Sequence, residues 1–260
     1  MRRILTFQSE GALLSATLDP GHAATGLLIV SGGNEIRIGA QRGMATLAQT
    51  ISGAGHPVFR FDRRGVGDSE GVNGGYATSS PDIEAAAREF RSACPYVTRI
   101  VAFGNCDAAT ALVLHNSPVE ARVLANPWVV EAANALPPVA AIRDRYSRRL
   151  RDPAAWAALL SGKIDFRAAA KGLGRIALPD RMHGNLVKAF ALSIANRPTT
   201  IILAERDNTA IAFANVWKTD AFIEARRGVS VVSIDSASHS FSADPDRAAL
   251  ASLLLKTLRA

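Results

Sequence analysis

Along most of the chain, short apolar runs alternate with stretches of helical character. ATGLLIVSGG, residues 24–33, is an apolar segment closing on a glycine turn, and MATLAQTISGAG behind it suits a helix. The cycle returns in HPVFRFDRRG followed by SPDIEAAAREFRSAC, and again within TRIVAFGNCDAATALVLH. ARVLANPW supplies a further strand that stops near Asn126 and Pro127. TTIILAERD and VSVVSID supply two more, and DPDRAALASLLLKTLR closes the chain as an amphipathic helix. A parallel sheet covered by helices is the economical arrangement for this alternation.

The pattern breaks once. Residues 130–197 are rich in Ala, Leu and Arg and carry no strong β-run, which predicts a helical cap inserted continuously into a core of residues 1–129 and 198–260. The expected class is α/β: a mostly parallel central sheet flanked by helices, with a helical cap insertion. In such sheets the loops beyond the strands' carboxyl ends gather backbone donors and side chains from distant parts of the chain, so candidate chemistry belongs there.

One strand end stands out. The apolar run RIVAF stops at Gly104-Asn105-Cys106-Asp107-Ala108 and passes straight into a helical stretch, giving the strand, sharp turn and helix of a nucleophile elbow with Cys106 at its centre. Gly104 and Ala108 are small enough for the close backbone approach this turn requires. Aligned amides at a helix start favour a thiolate over an uncharged thiol. Cys94 lacks such a setting and reads as a small packing residue. A literal Gly-x-Ser-x-Gly, residues 67–71, is a decoy. FDRRG already ends the preceding strand and VNGG delays the next helix, so Ser69 is expected to organise a surface loop.

Asp207 after TTIILAER, and His239 in SASHSF, both fall in loops behind strands, and the order Cys106, Asp207, His239 is that of nucleophile, acid and base on such a sheet. His239 accepts the thiol proton or pairs with the thiolate, then protonates the leaving group. Asp207 is expected to fix the imidazole tautomer, with Asp235 as its rival because it lies close to His239 in sequence. The backbone N–H of Asp107 is the first candidate donor to a developing oxyanion, and Gly33 or Asn34 in SGGNE the second. These groups suit attack on an ester or thioester carbonyl through an acyl-enzyme, resolved by water in a hydrolase or by another acceptor in a transferase. A noncatalytic binding protein is the remaining alternative.

Substrate contacts are less sharply marked. IRDRYSRRLRD clusters Arg143, Arg145, Arg148, Arg149 and Arg151 within the expected cap. Their guanidinium forks suit phosphate or carboxylate oxygens, which allows a CoA-linked, carrier-linked or lipid-phosphate acyl substrate; a solvated helical face is the other reading. Trp128, Tyr146, Trp156 and Trp217 suit an apolar entrance or packing between cap and core. Asp62, Arg63, Arg64 and Asp68 are expected to shape a loop near the site or to touch substrate, the arginines above all.

Composition narrows the field. At 260 residues, 48% hydrophobic and 20% charged, the chain fits one globular catalytic domain. Two cysteines are too few for a disulfide scaffold or a zinc module. The formal charge of +7 comes from scattered arginines without a nucleic-acid-binding pattern, so no nucleic-acid partner is expected. His22, His56, His115, His183 and His239 form no HxH or HExxH set, which disfavours a metal hydrolase. SGGNEIRIG lacks Gly-x-Gly-x-x-Gly spacing, which disfavours a dinucleotide oxidoreductase, and no organic cofactor is needed. With neither a signal segment nor an apolar stretch of membrane length, a cytoplasmic location is expected.

VSGGNEIRIGAQRG, RFDRRGVGDSEG, FGNCDAATAL, ANPWV, LAERDNTA and SASHSF, in that order from about Leu27 to Phe241, resemble the exosortase A system-associated hydrolase 1 family of the α/β-hydrolase superfamily. The resemblance implies an α/β-hydrolase fold with a Cys106 nucleophile, an Asp207 acid and a His239 base. It also implies a bacterial protein encoded near a protein-sorting and exopolysaccharide system. Ala108 departs from the final glycine of the general elbow.

Overall fold

The structure is a computed structural model that describes residues 1–115, 117–129 and 184–260. The described residues form eight strands: β1 (Arg3–Ser9), β2 (Ala12–Asp19), β3 (Thr25–Val30), β4 (Val58–Phe61), β5 (Arg99–Asn105), β6 (Ala121–Ala125), β7 (Thr199–Ala204) and β8 (Ser230–Ile234). They form one sheet in the order β1-β2-β4-β3-β5-β6-β7-β8. β2 runs antiparallel to both β1 and β4, and every other pairing is parallel.

The parallel strands are those that the apolar runs predict, and β3 shows why they read as continuous apolar segments. Leu27 and Ile29 join one core layer while Leu28 and Val30 join the other, so a strand covered on both faces has no polar register. On the first face lie α1 (Gly43–Gly53) and α6 (Asp244–Arg259), which contribute Met44, Leu47, Ile51, Leu250 and Leu254. On the second lie α2 (Ser80–Ala93), α3 (Asp107–Leu114), α4 (Gly184–Ile194) and α5 (Asn208–Trp217), contributing Ile83, Phe90, Leu112, Phe190 and Phe213. Burying a large apolar side chain is worth about 1.5–3 kcal/mol, so these two layers carry most of the drive to fold.

The apolar pattern does not mark the N-terminal hairpin. β1 and β2 are joined by Glu10 and Gly11, with φ of 46° and 81°. Two consecutive positive φ values give the tight turn whose twist matches that of paired strands.

α4 falls at the end of the segment expected to be a cap. Its Val187, Phe190 and Ile194 are buried, and the Phe190 ring meets Phe213 edge-on at 5.9 Å. Residues 130–183, including Arg143, Arg145, Arg148, Arg149, Arg151, Tyr146 and Trp156, lie outside the described residues. Buried Arg122 on β6 ties α4 to α3, donating to the carbonyls of Leu112 at 2.9 Å and Ile194 at 2.8 Å. Terminal carbonyls of helices lack partners within the helix, and here one guanidinium serves two helix ends. Burial, and then the charge of Arg197, pulls that guanidinium down to about 10. Among the described residues, no helix is long and apolar enough to cross a membrane.

Candidate active site

Cys106 stands between β5 and α3 at φ 60° and ψ −125°. A residue with a Cβ rarely adopts that conformation, at a cost of about 1–3 kcal/mol, and only surrounding contacts hold it there. Its N–H donates to the Ala125 carbonyl at 3.0 Å, and its own carbonyl accepts from the amides of Ala109 at 3.1 Å and Trp128 at 3.2 Å. A Cβ on Gly104 would stand 2.9 Å from the Ala108 carbonyl carbon, so α3 crosses close to β5 because residue 104 is glycine. Ala108 is fully buried in that crossing, and its methyl group is accommodated where the general elbow has glycine.

His239 lies beyond β8, with Nδ1 3.0 Å from Asp207 Oδ2. The same carboxylate oxygen accepts the Ala210 amide at 3.0 Å as the N-cap of α5, so one side chain both starts a helix and orients the imidazole. The Cys106 side chain lies near enough to raise the ring's affinity for its proton as well. Asp207 first, then Cys106, push the ring up to about 10, against burial, which pulls it down. The imidazole therefore keeps its proton through neutral pH, the state that pairs with a thiolate and can protonate a leaving group. Asp235 is elsewhere: 76% exposed, it pairs with Arg206 at 3.2 Å.

Two asparagines not singled out from sequence complete the support. Asn105 and Asn126 both donate to the His239 carbonyl, at 2.9 Å and 3.1 Å. Asn126 also donates to Asn105 Oδ1 at 3.2 Å and accepts the Ala204 amide at 2.9 Å. Their one sequence signal is a polar residue closing an apolar run, in FGNC and LANP.

The SGGNE loop reaches the elbow from the other side. A Cβ on Gly32 would sit 2.5 Å from the Asn105 carbonyl oxygen, so only glycine allows this approach. The Gly33 amide donates to Asp107 Oδ1 at 2.5 Å, and the Asn34 side chain accepts from Asn73 at 2.8 Å. Arg63 is 2% exposed and donates to Asp107 Oδ2 at 3.1 Å, the Gly33 carbonyl at 2.7 Å and Ser79 Oγ at 2.9 Å.

The other residues singled out from sequence divide between the elbow and the framework. Trp128 joins the elbow through its amide and packs its ring on Tyr76 at 5.6 Å. Arg64 pairs with buried Asp82 at 2.7 Å, while Asp62 holds Arg37, which meets Asp68 at 3.0 Å. Ser69 opens into a loop rather than directly into a helix, the next α-helix starting at Ser80; its hydroxyl donates to the Asp62 carbonyl at 2.7 Å and accepts the Ser15 amide at 2.9 Å. Trp217 stacks on Phe213 at 5.7 Å, and Cys94 is buried. Among the described residues, no group of three or more His, Cys, Asp or Glu side chains is placed to hold a metal ion.

A sequence model of the alpha/beta hydrolase family matches residues 37–251. No curated protein matches the chain. Among solved structures, an esterase from Pyrococcus furiosus is similar at 17% identity over 100% of this chain and 90% of that one, with a TM-score of 0.67. A hydrolase from Pseudomonas aeruginosa is similar at 22% identity over 100% of this chain and 98% of that one, with a TM-score of 0.57. At these identities the likeness is one of fold.

Proposed function

We propose that this chain, which belongs to the alpha/beta hydrolase family, cleaves an ester- or thioester-like acyl bond through a covalent acyl-enzyme on Cys106. The observation that carries this reading is the strained Cys106 at the entrance to α3, with the His239–Asp207 pair within reach of its sulfur. The Pyrococcus esterase on the same fold supports ester chemistry.

The Cys106 thiolate attacks the acyl carbon, and the carbonyl electron pair moves onto oxygen. The Asp107 amide at the head of α3 stabilises that charge together with the Gly33 or Asn34 amide. The tetrahedral adduct collapses as the bond to the leaving oxygen or sulfur breaks, and the His239 imidazolium supplies the proton it needs. The neutral ring then takes a proton from water as that water attacks the thioester. Release of the acid restores thiolate and imidazolium. Asp207 keeps the ring turned toward the sulfur throughout.

The exosortase-associated sequence blocks support a bacterial protein encoded beside an exopolysaccharide or protein-sorting system. The arginine cluster at residues 143–151 supports an acyl group delivered on CoA or a carrier. The test is incubation with a panel of short acyl esters and thioesters, with intact-protein mass detection. An acyl adduct and turnover that both vanish in Cys106→Ala and both persist in Ser69→Ala are expected; turnover surviving in Cys106→Ala would reject the reading.

A further inference from the structure

Asp107 has two opposed relations to the acyl oxygen. Its backbone N–H starts α3 next to Cys106, where charge on that oxygen would be stabilised, while its carboxylate holds the Gly33 N–H from across the site at 2.5 Å. An anion seated on a donor competes with any oxyanion that needs the same donor.

We propose that Asp107 is an internal anion that occupies the Gly33 amide in the resting enzyme and turns onto Arg63 when the acyl oxygen takes that amide. The inference rests on the acyl-enzyme reading and adds a positioning residue, Arg63, to it. Three observations carry it. Asp107 Oδ2 already contacts Arg63 at 3.1 Å, so the carboxylate can release Gly33 without losing its charge partner. Arg63 is buried and pinned by Ser79 and the Gly33 carbonyl, so the cation stays in place while the carboxylate turns. A Cβ added at Gly33 would meet nothing within 4 Å among the described residues, so the loop is open on that side.

The exchange is selective in a useful sense. A neutral ester carbonyl is a weak acceptor and does not displace a carboxylate from an amide, whereas an oxygen gaining full negative charge does. The second donor is thus engaged as charge builds, the condition under which binding accelerates a reaction. A displaced carboxylate without Arg63 would be left partly buried and unpaired, which explains an arginine at this position.

The test compares the full-length chain with Asp107→Asn, Arg63→Gln and the double variant, each checked by thermal melting. It reads kcat/KM on p-nitrophenyl acetate and inhibition by an aryl trifluoromethyl ketone, whose Cys106 adduct carries an oxyanion. Asp107→Asn is expected to raise kcat/KM and tighten ketone inhibition by about tenfold, the lower end of the value of one charge-assisted hydrogen bond. Arg63→Gln is expected to weaken both, and Asp107→Asn to rescue it, which a purely structural Arg63 would not allow. Asp107→Ser serves if the asparagine variant does not fold. Unchanged or weaker ketone inhibition in a folded Asp107 variant overturns the inference alone. Turnover surviving in Cys106→Ala overturns the acyl-enzyme reading and this inference with it.

Discussion

The side-chain amide of Asn126 donates to the main-chain carbonyl of His239 at 3.1 Å, so the end of β6 fixes the loop that carries the imidazole. The same side chain accepts the Ala204 amide from β7 and is fully buried. One asparagine therefore ties two neighbouring strands to a loop more than a hundred residues further along the chain. Asn126→Ala leaves a buried amide and part of a carbonyl without partners. We expect a loss of about 1–3 kcal/mol in denaturant unfolding, together with a lower kcat. Unchanged values of both would show that the link positions nothing.

The pH dependence of turnover should report on His239. The ring is held near 10 chiefly by Asp207, so kcat for substrates with poor leaving groups should fall only as pH approaches that value. In Asp207→Asn the alkaline limb should move down toward the ordinary 6.5, stopping short of it because Cys106 still raises the ring. The same shift acts on stability. A group whose folded pKa is raised stabilises the fold fully below 6.5, and that contribution is lost as pH climbs through about 10. Thermal melts of the two proteins across this window should converge at its alkaline end.

Glycines 104 and 53 should respond in opposite ways. Gly104→Ala drives a methyl group to within 2.9 Å of the α3 backbone, and a loss of about 1–3 kcal/mol is expected together with weakened turnover. Gly53 lies at the end of α1, where an added Cβ meets nothing within 4 Å, so Gly53→Ala should be neutral or stabilising by about 0.5–1 kcal/mol. Calorimetric melting of both variants decides the point.

Ser69→Ala should cost stability and spare turnover. Its hydroxyl links the Asp62 carbonyl to the Ser15 amide, and removing a buried hydrogen-bonding group costs about 1–3 kcal/mol. Turnover within about twofold of the parent enzyme is expected, since hydrogen-bond losses confined to the framework act on folding rather than on the acyl transition state. A collapse of kcat in a folded Ser69→Ala protein would move the nucleophile to the Gly-x-Ser-x-Gly loop.

How far the sequence can be read depends on whether a residue's partner is local. β3 to β7 were legible because strands covered on both faces are mostly apolar runs bounded by turns, even where β4 and β6 each carry a buried arginine. β1 was not: it lies at the sheet edge with mixed exposure, and only its pairing with β2 makes the residues around Glu10 and Gly11 a turn. α4 carries an inward face of Val187, Phe190 and Ile194 at helical spacing, yet nothing local distinguishes a helix covering the sheet from one lying over it in a cap. Cys106, Asp207 and His239 could be chosen because each lies just beyond an apolar strand in a recognisable order. Asn105 and Asn126 could not, because what they hold is a carbonyl of His239. Arg63 and Arg64 make the same point: neighbours in sequence, they turn to Asp107 and to Asp82.

His239 hangs from β8, which among the described residues pairs with β7 alone and has no buried residue among its five. Cys106 directly follows β5, deep in the middle of the sheet. The two halves of the candidate chemistry thus differ in tenure, because an outermost strand breathes open at a lower free energy than the strands it leans on. Gentle warming should silence the protein while most of its circular dichroism survives. The bared sulfur would then alkylate freely, an early gauge of fraying at that rim.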